Sequence, residues 1–137
     1  MTKHIDLDKY TNFVEGVTSQ ESNDVNAFQD RITELTNSTD VNIPLLLTAA
    51  IGMSAESGEF SELPKKILFQ GKEITEDVRF HMKRELGDIM WYWTNACRAL
   101  GYTPDEVIAE NVGKLEARYP GGKFDPFFSE NRKDGDL

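Results

Sequence analysis

Apolar residues recur at spacings of three and four along almost the whole chain, and this period restricts its fold more than any other feature. Such spacing places side chains on one face of an α-helix, whereas a strand needs strict alternation. The 5 prolines and 10 glycines fall mainly between these helical stretches, and the sequence shows no strand pattern and no internal repeat. The sequence therefore predicts an all-α fold, built from a helical hairpin and flanking helices.

Helix start and stop signals divide the chain into five predicted helices. They cover residues 6–18, 24–36, 44–68, 76–100 and 104–118. Pro64 is expected to kink or end the third helix, and Gly101 is expected to stop the fourth. Thr103 and Glu106 have the spacing of a capping box at the start of the fifth. The segment 19–24 is expected to break the helical pattern.

Length, charge and cysteine content limit the class of protein. A chain of 137 residues suits one domain over 1–137, and residues 130–137 are expected to form a flexible tail. The net charge is −9 without a Lys/Arg block, so no nucleic-acid partner is expected. Cys97 is the single cysteine, which favours a reducing cytoplasm. The N-terminus lacks the apolar segment of a signal peptide, and no apolar run reaches the roughly 20 residues of a membrane span.

Two pairs of acidic residues interrupt the apolar faces of the third and fourth helices. Glu56 with Glu59, and Glu85 with Asp88, are each three residues apart and share a helix face. Helices joined by a short turn pack antiparallel, so the two pairs should meet across the hairpin. Desolvating four carboxylates that repel one another is costly unless their pKa values rise or a hard cation binds. All-oxygen ligands suit Mg²⁺, Mn²⁺ or Ca²⁺.

A di-iron carboxylate site is the main alternative for acidic pairs on helices. Such sites place a histidine three residues after a glutamate, but Glu59 and Asp88 occupy those positions here. His81 precedes Glu85 by four residues and is interpreted as a helix-face residue rather than a ligand. Glu62 is interpreted as solvated, or as a support for the ligands. The hard-cation interpretation is preferred over solvated faces because both acidic pairs continue apolar stripes.

The chain resembles the MazG-like, all-α nucleoside triphosphate pyrophosphohydrolases, especially their short phage-encoded members, a group related to dimeric dUTPases and dCTP pyrophosphatases. The resemblance rests on E-x-x-E followed by E-x-x-D, and on the segments "LLLTAAIGMSAESGEFSE", "RELGDIMWYW" and "NVGKLEARYPGGKF". It implies hydrolysis of a nucleoside triphosphate, expected to be a deoxynucleotide, to monophosphate and pyrophosphate. It also implies that Glu56, Glu59, Glu85 and Asp88 hold Mg²⁺, with Mn²⁺ as a substitute. Either Glu56 or Glu59 is expected to orient or deprotonate the attacking water.

Five residues are candidates for substrate binding, and the resemblance favours four of them. Asn111, Lys114 and Arg118 share a face of the fifth helix, where the two cations can hold a polyphosphate. A solvated face is the alternative interpretation of that trio. Tyr92 lies one turn beyond the acids and is expected to touch the nucleotide, with a core position as its alternative. Lys66 is a weaker candidate for phosphate binding.

A single hairpin with short flanking helices leaves apolar surface uncovered. Because the similar enzymes form dimers or tetramers, we expect a homo-oligomer of the four-helix-bundle type, with its active sites near the interfaces. Phe13 and Phe28 are expected in the core rather than against a base. The C-terminal Phe124, Phe127 and Phe128 are expected to pack on other residues.

Three alternative functions remain open from the sequence. The substrate could instead be a guanosine alarmone or a modified nucleotide. A rival of a different class is a non-catalytic helical partner protein that retains the acidic face. A phage-encoded enzyme of this kind would act in the cytoplasm of its host.

Overall fold

The structure is a computed structural model that describes residues 5–132 and Gly135, and no strand occurs among these residues. Seven helices lie in this described part of the chain, which confirms the all-α prediction. They are α1 (Leu7–Val17), α2 (Gln20–Asn23), α3 (Val25–Ser38), α4 (Ile43–Gln70), α5 (Glu76–Ala99), α6 (Pro104–Arg118) and α7 (Pro126–Glu130).

The chain divides into two compact units, the first ending at Ile43 and the second beginning at Pro44. In the first unit α2 contacts α3, and in the second α5 contacts α6. The assignment of residues 1–137 to one domain stays a prediction. Of the predicted flexible tail, Glu130 is the last residue of α7, and residues 133, 134, 136 and 137 lie outside the described residues.

The helices α4 and α5 run antiparallel, as expected for a hairpin. The ring of Tyr92, late in α5, lies against Gly52, early in α4. His81, early in α5, lines the same depression as Lys66, late in α4. The acidic pairs lie between these two points on both helices, so this register brings them face to face.

Local chemistry fixes the ends of the hairpin helices and of α6. Gly71 and Gly101 follow α4 and α5 with φ of 68° and 79°, a left-handed conformation that favours glycine. The side chain of Thr75 caps the first turn of α5. The predicted capping box is present: the Thr103 N–H donates to Glu106 Oε2 at 2.7 Å, and the Glu106 N–H donates to Thr103 Oγ1 at 3.3 Å.

Proline does not end α4, so of the two effects expected of Pro64, a kink or an end, the end is wrong. Pro64 lies inside the helix, which continues to Gln70. Proline removes one backbone donor from a helix. The neighbouring Leu63 is only 6% exposed, so burial of this turn holds the helix together across the missing hydrogen bond.

Two short helices were not predicted. The segment expected to interrupt the helical pattern instead forms α2, and the C-terminal segment contains α7. Asp125 caps α7 by accepting the N–H of Phe127 at 2.8 Å, and Pro126 occupies its first position. An Asp-Pro pair is a helix-start signal, but a helix this short has no apolar period to detect.

The buried residues cluster in the second unit. The core of the described chain contains Ala49, Leu63, Val78, Cys97 and Ala99, and polar Glu85 and Asn95 are also buried. The expectation that Phe13 and Phe28 are core residues is wrong for the single chain, since they are 63% and 42% exposed. Their helices carry an apolar period, but an amphipathic face identifies a core position only when another element covers it.

The C-terminal aromatic residues form ring contacts with near neighbours in sequence, although Phe124 and Phe127 remain 72% and 64% exposed. The rings of Tyr119 and Phe124 are 5.9 Å apart, and those of Phe127 and Phe128 are 5.5 Å apart. Within the described residues, each helix is too short or too polar to cross a bilayer.

Candidate metal centre

Three of the four predicted acids meet between α4 and α5. One carboxylate oxygen each from Glu56, Glu59 and Glu85 lies within 4.8 Å of the others. Glu85 is buried, Glu56 is half-buried and Glu59 is exposed, so the cluster runs from the interior to the surface. We call these three residues the acid triad. Residues three apart share a helix face, which is why α4 contributes two of them.

The fourth predicted acid, Asp88, is exposed and lies outside the acid triad. Its charge is nevertheless close enough to help raise the pKa of Glu56. Asp88 lies one turn beyond Glu85 on α5, as the spacing of three residues between them predicts. Its role as a metal ligand stays a prediction.

The triad is electrostatically unfavourable without a counter-charge. Burial raises the pKa of Glu56 above its usual value of 4.5, and the charges of Glu59, Asp88 and Glu85 raise it further. A hydrogen bond with Glu85 acts in the same direction. The site therefore favours either an added proton or an added cation. Three converging carboxylates form an all-oxygen donor set, which fits a hard divalent ion such as Mg²⁺.

Gly52 lets α4 and α5 approach one turn from the triad. A Cβ atom at Gly52 would overlap the Tyr92 ring, so this contact requires glycine. The ring of Trp91 meets Tyr92 edge to face, with centroids 4.8 Å apart. Tyr92 is half-buried between α4 and α5. This placement agrees with the alternative interpretation of Tyr92 as a core residue. Its contact with the nucleotide stays a prediction.

A depression of about 340 Å³ opens beside the triad. Its lining includes Glu59, Glu62, Lys66 and His81. Lys66 Nζ lies 3.3 Å from Glu62 Oε1, and Lys65 pairs with the other oxygen of Glu62. Hydrogen bonds from these lysines lower the pKa of Glu62. Glu62 is therefore balanced by two lysines, and the predicted phosphate ligand Lys66 lies next to the acids.

His81 contacts the triad, which the sequence interpretation missed. Its Nε2 atom lies 2.9 Å from Oε1 of Glu85. His81 does lie on an exposed helix face, as predicted, but that face borders the triad. The spacing of four residues from Glu85 was the available signal, because residues at that spacing are neighbours on a helix.

The predicted phosphate-binding trio lies on α6. Asn111 and Lys114 are exposed and Arg118 is half-buried in the last turn. All three belong to one uninterrupted helix, so their expected shared face is compatible with the fold. Their contact with substrate stays a prediction.

Comparisons with known proteins cover the same part of the chain. The profile of the MazG nucleotide pyrophosphohydrolase domain matches residues 47–122, more than half of the chain, including all four acids, α5 and α6. The chain is also 35% identical over 74 residues to the Gene 37 protein of Mycobacterium phage L5, covering 53% of this chain. The aligned part covers 64% of that relative, less than two thirds of its length. No solved structure matches the chain.

Proposed function

Because the chain belongs to the MazG nucleotide pyrophosphohydrolase family, we propose that it hydrolyses a nucleoside triphosphate to a monophosphate and pyrophosphate. The convergence of Glu56, Glu59 and Glu85 to within 4.8 Å carries this proposal. We propose a deoxynucleotide as substrate, on the resemblance of the chain to short phage-encoded enzymes of this group.

The acids supply a site for Mg²⁺, with Mn²⁺ as a substitute. Glu56, Glu59 and Glu85 would hold the ion, and Asp88 would complete the set from the next turn of α5. When bound, the ion neutralises phosphate charge and makes a coordinated water more acidic. The raised pKa of Glu56 supports the assignment, because a cation relieves the same repulsion that a proton relieves.

Glu59 is the better placed of the two candidate bases. It is exposed and lines the depression, whereas Glu56 is half-buried and hydrogen-bonded to Glu85. Glu59 accepts a proton from the attacking water, whose oxygen bonds to phosphorus. The bond from that phosphorus to the oxygen bridging the α- and β-phosphates breaks, and this oxygen leaves with the other product. Glu56 helps to hold the ion.

Cationic and polar side chains would hold the phosphates. Lys66 lines the depression beside Glu59, so a phosphate chain that starts at the acids reaches its ammonium group. Asn111, Lys114 and Arg118 would contribute from one face of α6. Tyr92 would touch the nucleotide at the opposite end of the triad.

We also propose that the chain acts as a homo-oligomer, either a dimer or a tetramer of helical bundles. Large apolar side chains on the hairpin support this proposal, since Ile51 is 63% exposed, Phe80 60% and Trp91 58%. Apolar surface of this kind is stabilised when another chain covers it. We place the enzyme in the cytoplasm of a phage host, where its nucleotide substrates occur.

The test is pyrophosphate release from a panel of eight ribo- and deoxynucleoside triphosphates, with Mg²⁺ and with a chelator. The proposal predicts metal-dependent release of pyrophosphate together with monophosphate, fastest with a deoxynucleotide. Absence of turnover in folded protein that binds Mg²⁺ would redirect the search to guanosine alarmones or modified nucleotides. Absence of both turnover and metal binding would favour a non-catalytic partner protein.

A further inference from the structure

One carboxylate on α4 pairs with two lysines. Lys66 Nζ lies 3.3 Å from Glu62 Oε1, and Lys65 Nζ pairs with Oε2 of the same residue. The spacings of three and four residues bring both ammonium groups to one turn of the helix. Hydrogen bonds from the lysines lower the pKa of Glu62, so its carboxylate is ionised at neutral pH. By contrast, Arg31 on α3 pairs with Glu34 one to one.

Of these two lysines, Lys66 is the one that borders the depression beside the acid triad. It lines the depression together with Glu59 and Glu62. The Lys66 side chain is 43% exposed, so its ammonium group can change partners without disturbing the packing of the helix. A polyphosphate bound at the acids would therefore compete with Glu62 for Lys66.

Lys65 makes this exchange of partners less costly. If Lys66 left a carboxylate that had no other partner, that negative charge would stay uncompensated beside an incoming anion. Here Lys65 stays on Glu62, so the carboxylate remains paired. The two ammonium groups also repel each other, which weakens the hold of Glu62 on Lys66. Exposed ion pairs are weak, whereas a lysine donates charge-assisted hydrogen bonds to phosphate, so the exchange favours phosphate.

We propose that Glu62 and Lys65 are positioning residues for Lys66. Glu62 holds the Lys66 ammonium group beside the depression, and Lys65 allows its release to a polyphosphate. This inference rests on the proposed function, because it takes the substrate to carry a chain of phosphates. It adds to that function a role for two side chains that need not touch the substrate.

The experiment measures the binding of inorganic tripolyphosphate by calorimetry at a fixed excess of Mg²⁺. This probe carries the phosphate chain of a nucleotide without its base or sugar. Wild type is compared with Lys65→Met, with Lys65→Met combined with Glu62→Gln, and with two controls. The controls are Lys72→Met, and Lys65→Met combined with Glu73→Gln. Lys72 and Glu73 are exposed in the turn between α4 and α5, so each control changes the net charge equally at a different place.

We expect Lys65→Met to bind tripolyphosphate roughly 2- to 5-fold more weakly than wild type, because Lys66 becomes the sole partner of Glu62. Adding Glu62→Gln should restore wild-type affinity or exceed it, whereas adding Glu73→Gln should not. Lys72→Met should bind close to wild type, and all five proteins should show the same helical circular dichroism.

Wild-type affinity in Lys65→Met would overturn the inference. Equal losses in Lys65→Met and Lys72→Met would also overturn it, by assigning the effect to net charge. Equal recovery in the two double variants would do the same.

The same proteins separate this inference from the proposed function. A wild type that releases pyrophosphate from a nucleotide, beside a Lys65→Met variant with unchanged affinity for tripolyphosphate, would overturn the roles of Glu62 and Lys65 alone. So would a wild type that hydrolyses nucleotide without binding tripolyphosphate. A folded wild type that neither binds tripolyphosphate nor hydrolyses nucleotide would overturn both.

Discussion

Glu56 in α4 and Glu106 in α6 are the same residue type in opposite surroundings. Glu106 accepts hydrogen bonds from the Thr103 backbone and hydroxyl, which lower its pKa. Glu56 is partly desolvated among three other acids, which raises its pKa. One carboxylate stabilises the start of a helix, and the other is held where its charge is unfavourable. The second arrangement persists without stabilising the chain, as expected for a site built to bind a cation.

The largest expected effect of this contrast is on turnover. Replacing Glu59 with glutamine removes the proposed proton acceptor, and pyrophosphate release should fall by roughly 10²- to 10⁴-fold. The melting temperature should be unchanged or higher, because one repelling charge is gone. Glu106→Gln is the matched control and should retain activity. Similar losses of activity in both variants would contradict the difference proposed between the triad and the helix cap. Unfolding of Glu59→Gln would show that Glu59 is needed for the fold.

The contact between Gly52 and Tyr92 should be the next most sensitive feature. In Gly52→Ala the added Cβ overlaps the Tyr92 ring, forcing α4 and α5 apart at an overpacking cost of about 1–3 kcal/mol. Glu56 and Glu85 should separate as well, so Mg²⁺ affinity should fall. Chemical denaturation and metal titration measure the two effects.

Gly113→Ala is the control for that substitution, because a Cβ there meets open space in α6. Alanine has the higher helix propensity, by roughly 1 kcal/mol, so this variant should be as stable as wild type or more stable. A Gly52→Ala protein with wild-type stability and Mg²⁺ affinity would show that the close approach does not set the geometry of the triad.

The cap of α6 should affect stability without affecting the site. Thr103→Ala removes the side chain that accepts the Glu106 N–H, which should lower the free energy of unfolding by about 1 kcal/mol. Mg²⁺ affinity and kcat should stay at wild-type values. A clear loss of Mg²⁺ affinity in this variant would show that the two regions are coupled.

The smallest expected effect is on the pH dependence of the melting temperature in metal-free protein. The variants Glu56→Gln and Glu106→Gln should differ from wild type in opposite directions. The folded pKa of Glu56 is raised, so its ionisation destabilises the fold as pH rises through the interval above 4.5. The melting temperature of Glu56→Gln should thus exceed that of wild type near pH 8, and the gap should close toward pH 4.

Glu106 should show the reverse sign. Its pKa is lowered in the folded protein, so its contribution is present at neutral pH and is lost as pH falls below its usual value of 4.5. Wild type should therefore melt above Glu106→Gln at pH 7, with a gap that shrinks on acidification. Gaps of the same sign for both variants would contradict the comparison.

Features governed by local chemistry were predictable from the sequence. Thr75, Gly101 and the Thr103–Glu106 box each act within one turn of helix, so their residue types identify the ends of α5 and α6. The meeting of Glu56, Glu59 and Glu85 was also predictable, because acids three residues apart share a helix face and the two helices form a hairpin. The exposure of Asp88, outside the triad, was not.

Features that depend on packing were not predictable. Burial of Leu63 keeps α4 helical past Pro64, and burial depends on the partner helix. Phe13 and Phe28 lie on amphipathic helices, but the period does not reveal whether anything covers them. His81 reads as an ordinary exposed histidine until Glu85 is found buried one turn away.

Calorimetric titration of Mg²⁺ into wild type, Glu85→Gln and Glu106→Gln tests the central claim most directly. The account predicts binding to wild type and Glu106→Gln, and loss of binding in Glu85→Gln at unchanged helical content. Equal binding by all three proteins would show that the ion does not occupy the triad. Folded wild-type protein that binds no Mg²⁺ would contradict the metal centre itself.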